Sequence, residues 1–256
     1  MLDQATIDEV HRRGFATISG VFDVGVADDW RTGLAALTAK QRHSQSDRTA
    51  IDDFMVHNPM MLDARFFDVL EHPRLLGVLD TFLGPTSIVY AYTTSSMPAG
   101  GSNYSRRIHV DCPRVIPNYM SNLGIMIALD DFTAENGATY FLPESFERLD
   151  APSAEEFFGS AERVFPRKGD LVVFNARTWH CGGANTTDVD RHALTINACR
   201  SYMRQRFDYP RLVGESLAAE FSPSLRRVLG FDVRVPTSLK EYYLPEDQRL
   251  YKANQG

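Results

Sequence analysis

The chain has 256 residues, of which 43% are hydrophobic and 23% charged, a composition ordinary for a soluble globular protein with a full core. Its formal net charge of −6 offers no basic surface for a nucleic acid, so nucleic-acid binding is not expected. The segment MLDQATIDEV lacks the basic start and apolar block of a signal peptide, and no apolar run reaches membrane-spanning length, so a cytoplasmic protein without membrane contact is expected.

The first 86 residues, approximately, are predicted to form a helical flank. Thr6 and Glu9 have the spacing of a capping box ahead of a short helix that Gly14 would end, and FATISGVF then has a strand pattern. Apolar residues at helical spacing predict three more helices, in VADDWRTGLAALTAKQ, MMLDARFFDVLEH and PRLLGVLDTFLG. Pro73 suits the first turn of the last of these helices.

From about residue 87 the pattern changes to short strands separated by Gly, Pro, Asn and Asp. The predicted strands lie in SIVYAYTTSSM, SRRIHVD, NLGIMIALDDF, GATYFLP, GDLVVFNARTWH and RHALTINACRSYM. Many short strands with turn signals are typical of a jelly roll, the double-stranded β-helix of cupin-like proteins. We therefore expect a mainly β fold with flanking helices, whose jelly-roll core covers residues 87–206.

The last segment, 207–256, returns to mixed structure. Ser222 and Pro223 are typical of a helix start, and Gly230 of a helix end. Because the sequence contains no internal repeat and no convincing interdomain linker, residues 1–256 are expected to form a single domain. This tail, the N-terminal flank and the loop MPAGGSNYSRR are candidates for a lid, since long irregular segments near a barrel mouth often carry specificity.

Three residues have the types and order of a metal site. On a strand, positions 109 and 111 project to the same face, so IHVDC can present His109 and Asp111 to one ion. His180, in TWHC, would complete a 2-His-1-carboxylate triad, which leaves positions open for an organic acid and O2 and suits Fe(II). The alternatives are a cupin-like protein that binds zinc or a small ligand without catalysis, and a redox-neutral enzyme with a Lewis-acid metal.

The motifs around these residues resemble the phytanoyl-CoA dioxygenase (PhyH-like) family of Fe(II)/2-oxoglutarate-dependent oxygenases. The resemblance covers roughly residues 7–205 and rests on H-x-D at 109–111, the acidic turn LDDFTAENG, and W-H at 179–180 with an arginine eleven residues later. It implies that His109, Asp111 and His180 bind Fe(II). It also implies that Arg191 anchors the distal carboxylate of 2-oxoglutarate, where a structural salt bridge would otherwise be the simpler role.

The resemblance and the strand pattern together indicate further cofactor contacts. Met126 falls where family members often place a residue against 2-oxoglutarate, and Asn122 shares its strand face. Thr195 shares a face with Arg191, and Thr139 lies in the strand GATYFLP. Asn122, Thr139 and Thr195 are therefore candidates for hydrogen bonds to the cofactor, with ordinary barrel packing as the alternative for each.

Two residues are candidates for substrate binding. Asn197 follows Thr195 on the same strand face, and Arg107 has the parity of His109 and is expected to point inward toward a substrate anion. Arg106 is expected to face outward. The family pattern is broken at PESF, 143–146, which lacks the glycine and histidine of Pro-Gly-Ser-His, and at Gly182, where some members have serine.

The resemblance implies an oxygenase that uses Fe(II), 2-oxoglutarate and O2. The expected reaction is hydroxylation of an unactivated C–H bond of a small metabolite, with release of succinate and CO2. Asp111 disfavours halogenation, because related halogenases replace this carboxylate with a small residue so that halide can bind iron. Desaturation, epimerisation and cyclisation with the same cofactors stay open, and neither the substrate nor the oligomeric state follows from the sequence.

Overall fold

The N-terminal flank is mainly helical, as the apolar spacing predicts. A computed structural model describes residues 2–44 and 54–249 of the chain. The elements of the flank are α1 (Gln4–Arg13), β1 (Phe15–Ile18), α2 (Val24–Ser44), a 3-10 turn (Pro59–Met61), α3 (Arg65–Glu71) and α4 (Pro73–Leu83). No helix within the described ranges is both long and apolar enough to cross a membrane.

The first helix begins earlier than the expected capping box would place it. The carboxylate of Asp3 accepts a hydrogen bond from the backbone N–H of Thr6 at 2.7 Å, so Asp3 is the N-cap and Thr6 lies inside the helix. Aspartate is a stronger N-cap than threonine, and here it stands three residues upstream. The predicted end is confirmed: Gly14 adopts φ 92 and its N–H donates to the carbonyl of Val10.

The centre of the molecule is a jelly roll built from two antiparallel sheets. The larger sheet has the strand order β1-β6-β3-β8-β2 and is completed by β2 (Ile88–Thr94), β3 (Asn122–Ala128), β6 (Leu171–Asn175) and β8 (Ala193–Cys199). The smaller sheet has the order β5-β4-β7 and consists of β4 (Tyr140–Phe141), β5 (Glu162–Arg163) and β7 (His180–Cys181), with α5 (Ala154–Ser160) between β4 and β5. The predicted fold class, mainly β with flanking helices, is confirmed.

Two predicted strands are interrupted. SRRIHVD forms a 3-10 turn at Tyr104–Arg106, and only His109 then pairs with another strand. GDLVVFNARTWH is divided between β6 and β7, which belong to different sheets. Asn175 causes this break: its side chain accepts from the backbone N–H of Arg177 at 3.0 Å and its carbonyl from Thr178 at 2.8 Å, which closes a turn.

Alternate side chains of the central strand β3 belong to two different hydrophobic clusters. On β3, Leu123, Ile125 and Ile127 belong to the large cluster that the sheet shares with the helices. Met126 and Ala128 belong instead to the cluster between the two sheets. Strand β3 is therefore buried on both faces, and the side that faces the smaller sheet is the interior of the jelly roll.

The C-terminal segment packs on the helical side of the larger sheet. Its elements are α6 (Tyr209–Val213), α7 (Glu215–Ala218), α8 (Pro223–Val228), α9 (Leu239–Tyr242) and a 3-10 turn (Glu246–Gln248). The side chain of Ser222 caps α8, and Gly230 follows with φ 87, as predicted. Helix α8 contacts α3 and β2, and Tyr209 accepts a hydrogen bond from the backbone of Tyr92 at 2.9 Å.

The PESF segment forms a tight corner after β4. The hydroxyl of Ser145 donates to the carbonyl of Leu142 at 2.6 Å and accepts from the backbone N–H of Trp179 at 3.0 Å. Glu144 adopts φ 60, a left-handed conformation that favours glycine, and its N–H donates to the carbonyl of Arg13. The corner therefore keeps a glycine-type backbone although the sequence supplies glutamate.

Substitutions of Glu144 should measure how much its left-handed backbone conformation lowers the free energy of unfolding. Glu144→Gly is expected to be more stable than Glu144→Ala by about 1 kcal/mol, because only glycine adopts this conformation without a steric penalty. Both variants remove the same ion pair between Arg12 and Glu144, whose side chains are largely exposed, so their difference isolates the backbone effect. Urea denaturation measures it, and equal stability of the two variants would contradict the assignment.

Candidate metal centre

His109 and His180 face each other across the smaller sheet. Each donates its backbone N–H to the carbonyl of the other, at 3.0 Å in both directions, so they form a hydrogen-bonded antiparallel pair. Directly opposed residues in such a pair project their side chains to the same face. The two imidazole centroids consequently lie 4.2 Å apart.

Backbone carbonyls orient both imidazoles. Nδ1 of His109 lies 2.6 Å from the carbonyl oxygen of Arg107, and Nδ1 of His180 lies 2.9 Å from that of Thr178. A carbonyl can only accept, so Nδ1 carries a proton in each ring, and Nε2 is the atom that offers a lone pair when the ring is neutral. Metal-binding histidines are held in this way.

Asp111 joins the two histidines although its segment is not a regular strand. Its backbone N–H donates to the carbonyl of Ala176 at 2.9 Å, which ties it to the turn after β6. Its Oδ1 lies 3.5 Å from Nε2 of His109 and 3.9 Å from Nε2 of His180. The three ligand atoms all lie within 4.8 Å of one another, close enough for a single ion. Two imidazoles and one carboxylate suit Fe(II).

Burial and the contacts among the three groups shift their pKa values in different directions. Burial and the neighbouring charge of His109 lower the pKa of His180 to about 4, so this imidazole is neutral at physiological pH. Burial would raise the pKa of Asp111, but the hydrogen bond from His109 and the charges of both histidines outweigh it and lower that pKa. Burial lowers the pKa of His109, but the hydrogen bond and charge of Asp111 outweigh burial and raise that pKa. The raised pKa favours a protonated ring that donates to Asp111, and a metal ion would displace the proton on Nε2.

Two aromatic rings support His180. The ring of Phe141 stacks on this imidazole at 5.4 Å, and that of Phe174 lies at 5.0 Å on a tilted plane. Gly124, on β3, makes room for Phe174: a Cβ at position 124 would overlap the Phe174 ring. The position of His180 therefore depends on the absence of a side chain on the neighbouring sheet.

Arg191 is buried without a partner for part of its guanidinium. It pairs by backbone with Met97 ahead of β8, is 2% exposed, and lies 4.0 Å over the ring of Phe132. Its Nε and Nη1 have no hydrogen-bond partner among the described residues. Burial lowers its pKa to about 9, against the opposing effect of Asp130, so the group stays charged at neutral pH. An unpaired buried charge is costly, and an anion would satisfy it.

A cavity surrounds the three metal-site residues. Among the other predicted residues, Met126, Thr139 and Thr195 line it. Thr139 donates to the Met126 sulfur at 3.7 Å, whereas the Thr195 hydroxyl is buried without a partner among the described residues. Six further residues line the cavity: Ser95, Tyr104, Ser105, Phe141, Phe174 and Gly182. Gly182 was noted from the sequence only as a break in the family pattern, and the other five were not predicted. Phe174 was detectable, because it shares the strand parity of Val172, but Tyr104 and Ser105 lie in a loop without a periodic signal.

The remaining predicted residues lie beside the cavity. Asn122 donates to the side chain of Asn197 at 3.0 Å, and Asn197 in turn forms a hydrogen bond with Asp111. Both asparagines therefore act on the carboxylate of Asp111, not on the cavity itself. The side chains of Arg106 and Arg107 are both exposed and line a neighbouring groove. The prediction that Arg107 points inward and Arg106 outward is therefore wrong, because both contribute to the same surface.

A family model described as phytanoyl-CoA dioxygenase (PhyH) matches residues 10–193, most of the chain. The chain belongs to the phytanoyl-CoA dioxygenase family. This PhyH-family protein is a non-haem iron, 2-oxoglutarate-dependent oxygenase, with Fe(II), 2-oxoglutarate and O2 as the expected cofactors. The predicted family, enzyme class and cofactors are confirmed.

The PhyH-family chain also resembles individual proteins. Rv1501, an uncharacterized protein of Mycobacterium tuberculosis, is 35% identical over 202 residues, which cover 77% of this chain and 74% of that protein. AviO1 from Streptomyces viridochromogenes Tue57 has a TM-score of 0.67 at 23% identity, over 80% of this chain and 98% of that one. The epimerase SnoN, crystallised with Fe3+, alpha ketoglutarate and nogalamycin RO, has a TM-score of 0.62 at 21% identity, over 77% and 82%. These two structures share the fold.

Gly124→Ala is expected to weaken Fe(II) binding by about tenfold or more, because the added Cβ displaces Phe174 and with it the support of His180. The matched control is Gly77→Ala on the exposed face of α4, where a Cβ would meet nothing within 4 Å. The control should keep the wild-type affinity. Competition with a chromogenic chelator under anaerobic conditions measures both, and an unchanged dissociation constant in Gly124→Ala would refute the dependence.

Proposed function

We propose that this oxygenase binds Fe(II) through Nε2 of His109, a carboxylate oxygen of Asp111 and Nε2 of His180, and hydroxylates a C–H bond of a small metabolite. The observation that carries the metal assignment is the pair of Nδ1 contacts to backbone carbonyls, which directs both Nε2 atoms toward the Asp111 carboxylate, within reach of one ion.

Arg191 and Thr195 would hold 2-oxoglutarate. Both carry buried polar hydrogens without partners among the described residues, and they share the inward parity of β8 and the residues just before it. A dicarboxylate supplies the missing acceptors: its distal carboxylate matches the guanidinium, which can donate two parallel hydrogen bonds. When bound, iron would let O2 act as the oxidant: 2-oxoglutarate would give up two electrons as it is decarboxylated to succinate and CO2, and the substrate C–H bond would give up the other two.

The protein's own contribution is orientation and exclusion of water. Phe141, Phe174 and Met126 wall the cavity with apolar surface, which strengthens every electrostatic contact inside it. The hydrogen bond from Asn197 holds the Asp111 carboxylate in place. Because Asp111 supplies a carboxylate where halogenases have a small residue, hydroxylation is favoured over halogenation.

Arg191→Gln should separate co-substrate binding from metal binding. The dissociation constant of 2-oxoglutarate is expected to rise about a hundredfold or more, since the lost interaction is a buried charge pair worth about 2–4 kcal/mol. Fe(II) affinity should change little, because Arg191 is not one of the three residues that would bind the ion. Thr195→Val, a near-isosteric control that removes one hydroxyl, should weaken 2-oxoglutarate by only about tenfold. Anaerobic titration followed by visible absorption measures both, and wild-type 2-oxoglutarate affinity in Arg191→Gln would contradict the role of this arginine.

The reaction type is tested by turnover in 18O2 with a panel of small metabolites. The expected result is substrate-stimulated succinate release and a product heavier by one labelled oxygen atom. His109→Ala and Asp111→Ala should abolish both signals. A product that lacks two hydrogens, or an inverted centre without added oxygen, would overturn hydroxylation but leave the oxygenase class intact.

A further inference from the structure

A second concave surface adjoins the metal cavity. We call it the arginine groove; it has a volume of about 520 Å3 and is lined by Arg106, Arg107, Arg163, Tyr140, Phe158 and Gly182, with three small or apolar neighbours. Gly182 also lines the metal cavity, so the two spaces meet at this residue. Its volume is within the range typical of small-molecule sites.

The arginine groove concentrates positive charge on an acidic protein. The chain carries a formal net charge of −6, yet the described residues that line the groove include three arginines and neither aspartate nor glutamate. Within residues 2–44 and 54–249, no ion pair or hydrogen bond is formed by the side chain of Arg106 or Arg107. These two cations are therefore available to an external anion.

Arg163, the third arginine of the groove, is fixed in place. Its Nη1 donates to the carbonyl of Ala134 at 3.0 Å, and its guanidinium stacks 4.3 Å over the ring of Tyr140. Its Nε is buried and has no partner among the described residues. An arginine held in this way loses little further side-chain entropy when it binds a ligand.

Two aromatic rings give the groove an apolar wall. Phe158 and Tyr140 meet edge to face with ring centroids 5.4 Å apart. Phe158 is 53% exposed although it is a large apolar side chain. A flat or aliphatic part of a ligand could cover this surface while its charged group reaches the arginines.

We propose that the arginine groove binds the anionic group of the substrate, a carboxylate or a phosphate monoester attached to an apolar or aromatic body. This inference rests on the proposed function, because Gly182 lines both the groove and the cavity of the metal-site residues. The backbone supports the coupling: the carbonyl of Arg107 orients His109, and Gly182 donates its N–H to the carbonyl of Ser105 at 2.8 Å. A substrate anchored by its anion would present its remaining part toward the metal cavity.

The test measures binding of three probes of one shape and different charge. The full chain, loaded anaerobically with Fe(II) and 2-oxoglutarate so that the Arg191 site is filled, is titrated calorimetrically with 1-naphthyl phosphate, 1-naphthoate and the neutral 1-naphthamide. At least one anion should bind about tenfold or more tightly than the amide. Whichever anion binds more tightly identifies the group as phosphate or carboxylate.

Substitutions of the arginines test whether the anion binds in the arginine groove. R107Q and R163Q should each weaken the preferred anion about tenfold, and the exposed control R211Q on α6 should not change it. If R163Q folds poorly because it loses the contact with Tyr140, R107Q still tests the proposal. The proposal is overturned if the amide binds as tightly as the anions, if neither anion binds, or if R107Q and R106Q both keep the wild-type affinity.

The same samples separate this inference from the proposed function. Absence of the visible absorption of the Fe(II)–2-oxoglutarate complex in the wild type would sink the metal assignment. The naphthyl titration repeated without iron would then still decide whether the groove binds anions.

Discussion

The site depends above all on the two backbone hydrogen bonds exchanged between His109 and His180. They bring together residues seventy-one positions apart and direct both imidazoles to one face of the smaller sheet. The carbonyls of Arg107 and Thr178 then fix the tautomers, and Ala176 holds Asp111 beside the rings. Backbone groups therefore set much of the arrangement of the three side chains, and packing against Phe141 and Phe174 supports the ring of His180.

A second constraint is the presence of buried, unpaired polar groups near this site. Arg191 is buried with part of its guanidinium unpaired, and the hydroxyl of Thr195 is also buried and unpaired among the described residues. Buried polar groups without hydrogen-bond partners lower the stability of the fold, and a ligand that pairs with them would offset this cost. The interior beside them is otherwise apolar, with Phe132 and Met126 in one cluster. A lost hydrogen bond is more costly in an apolar interior than at the surface, which supports the proposal that a carboxylate of 2-oxoglutarate pairs with Arg191.

Much of the fold and the residue types of the candidate site could be predicted from the sequence. Helices α3 and α4, the end of α1 at Gly14 and the jelly-roll class follow from apolar spacing and turn residues. The alternation expected of a strand correctly predicted that His109 and Asp111 lie together. The basis was partly wrong, since their segment forms one β-bridge and not a strand. Local patterns could not locate β7, because the turn at Asn175 moves it to the other sheet, nor could they pair Asn197 with Asp111, which is a contact between distant segments.

The central claim is that one Fe(II) ion and one 2-oxoglutarate molecule share the interior of this jelly roll, held by three side chains and by Arg191. The most direct measurement is a crystal structure of the protein prepared anaerobically with both, with anomalous data collected at the iron absorption edge. The account predicts a single strong anomalous peak bonded to Nε2 of His109, Nε2 of His180 and a carboxylate oxygen of Asp111, with the distal carboxylate of 2-oxoglutarate on the Arg191 guanidinium. An iron peak at other side chains, or a bound 2-oxoglutarate that leaves Arg191 without a carboxylate partner, would contradict it.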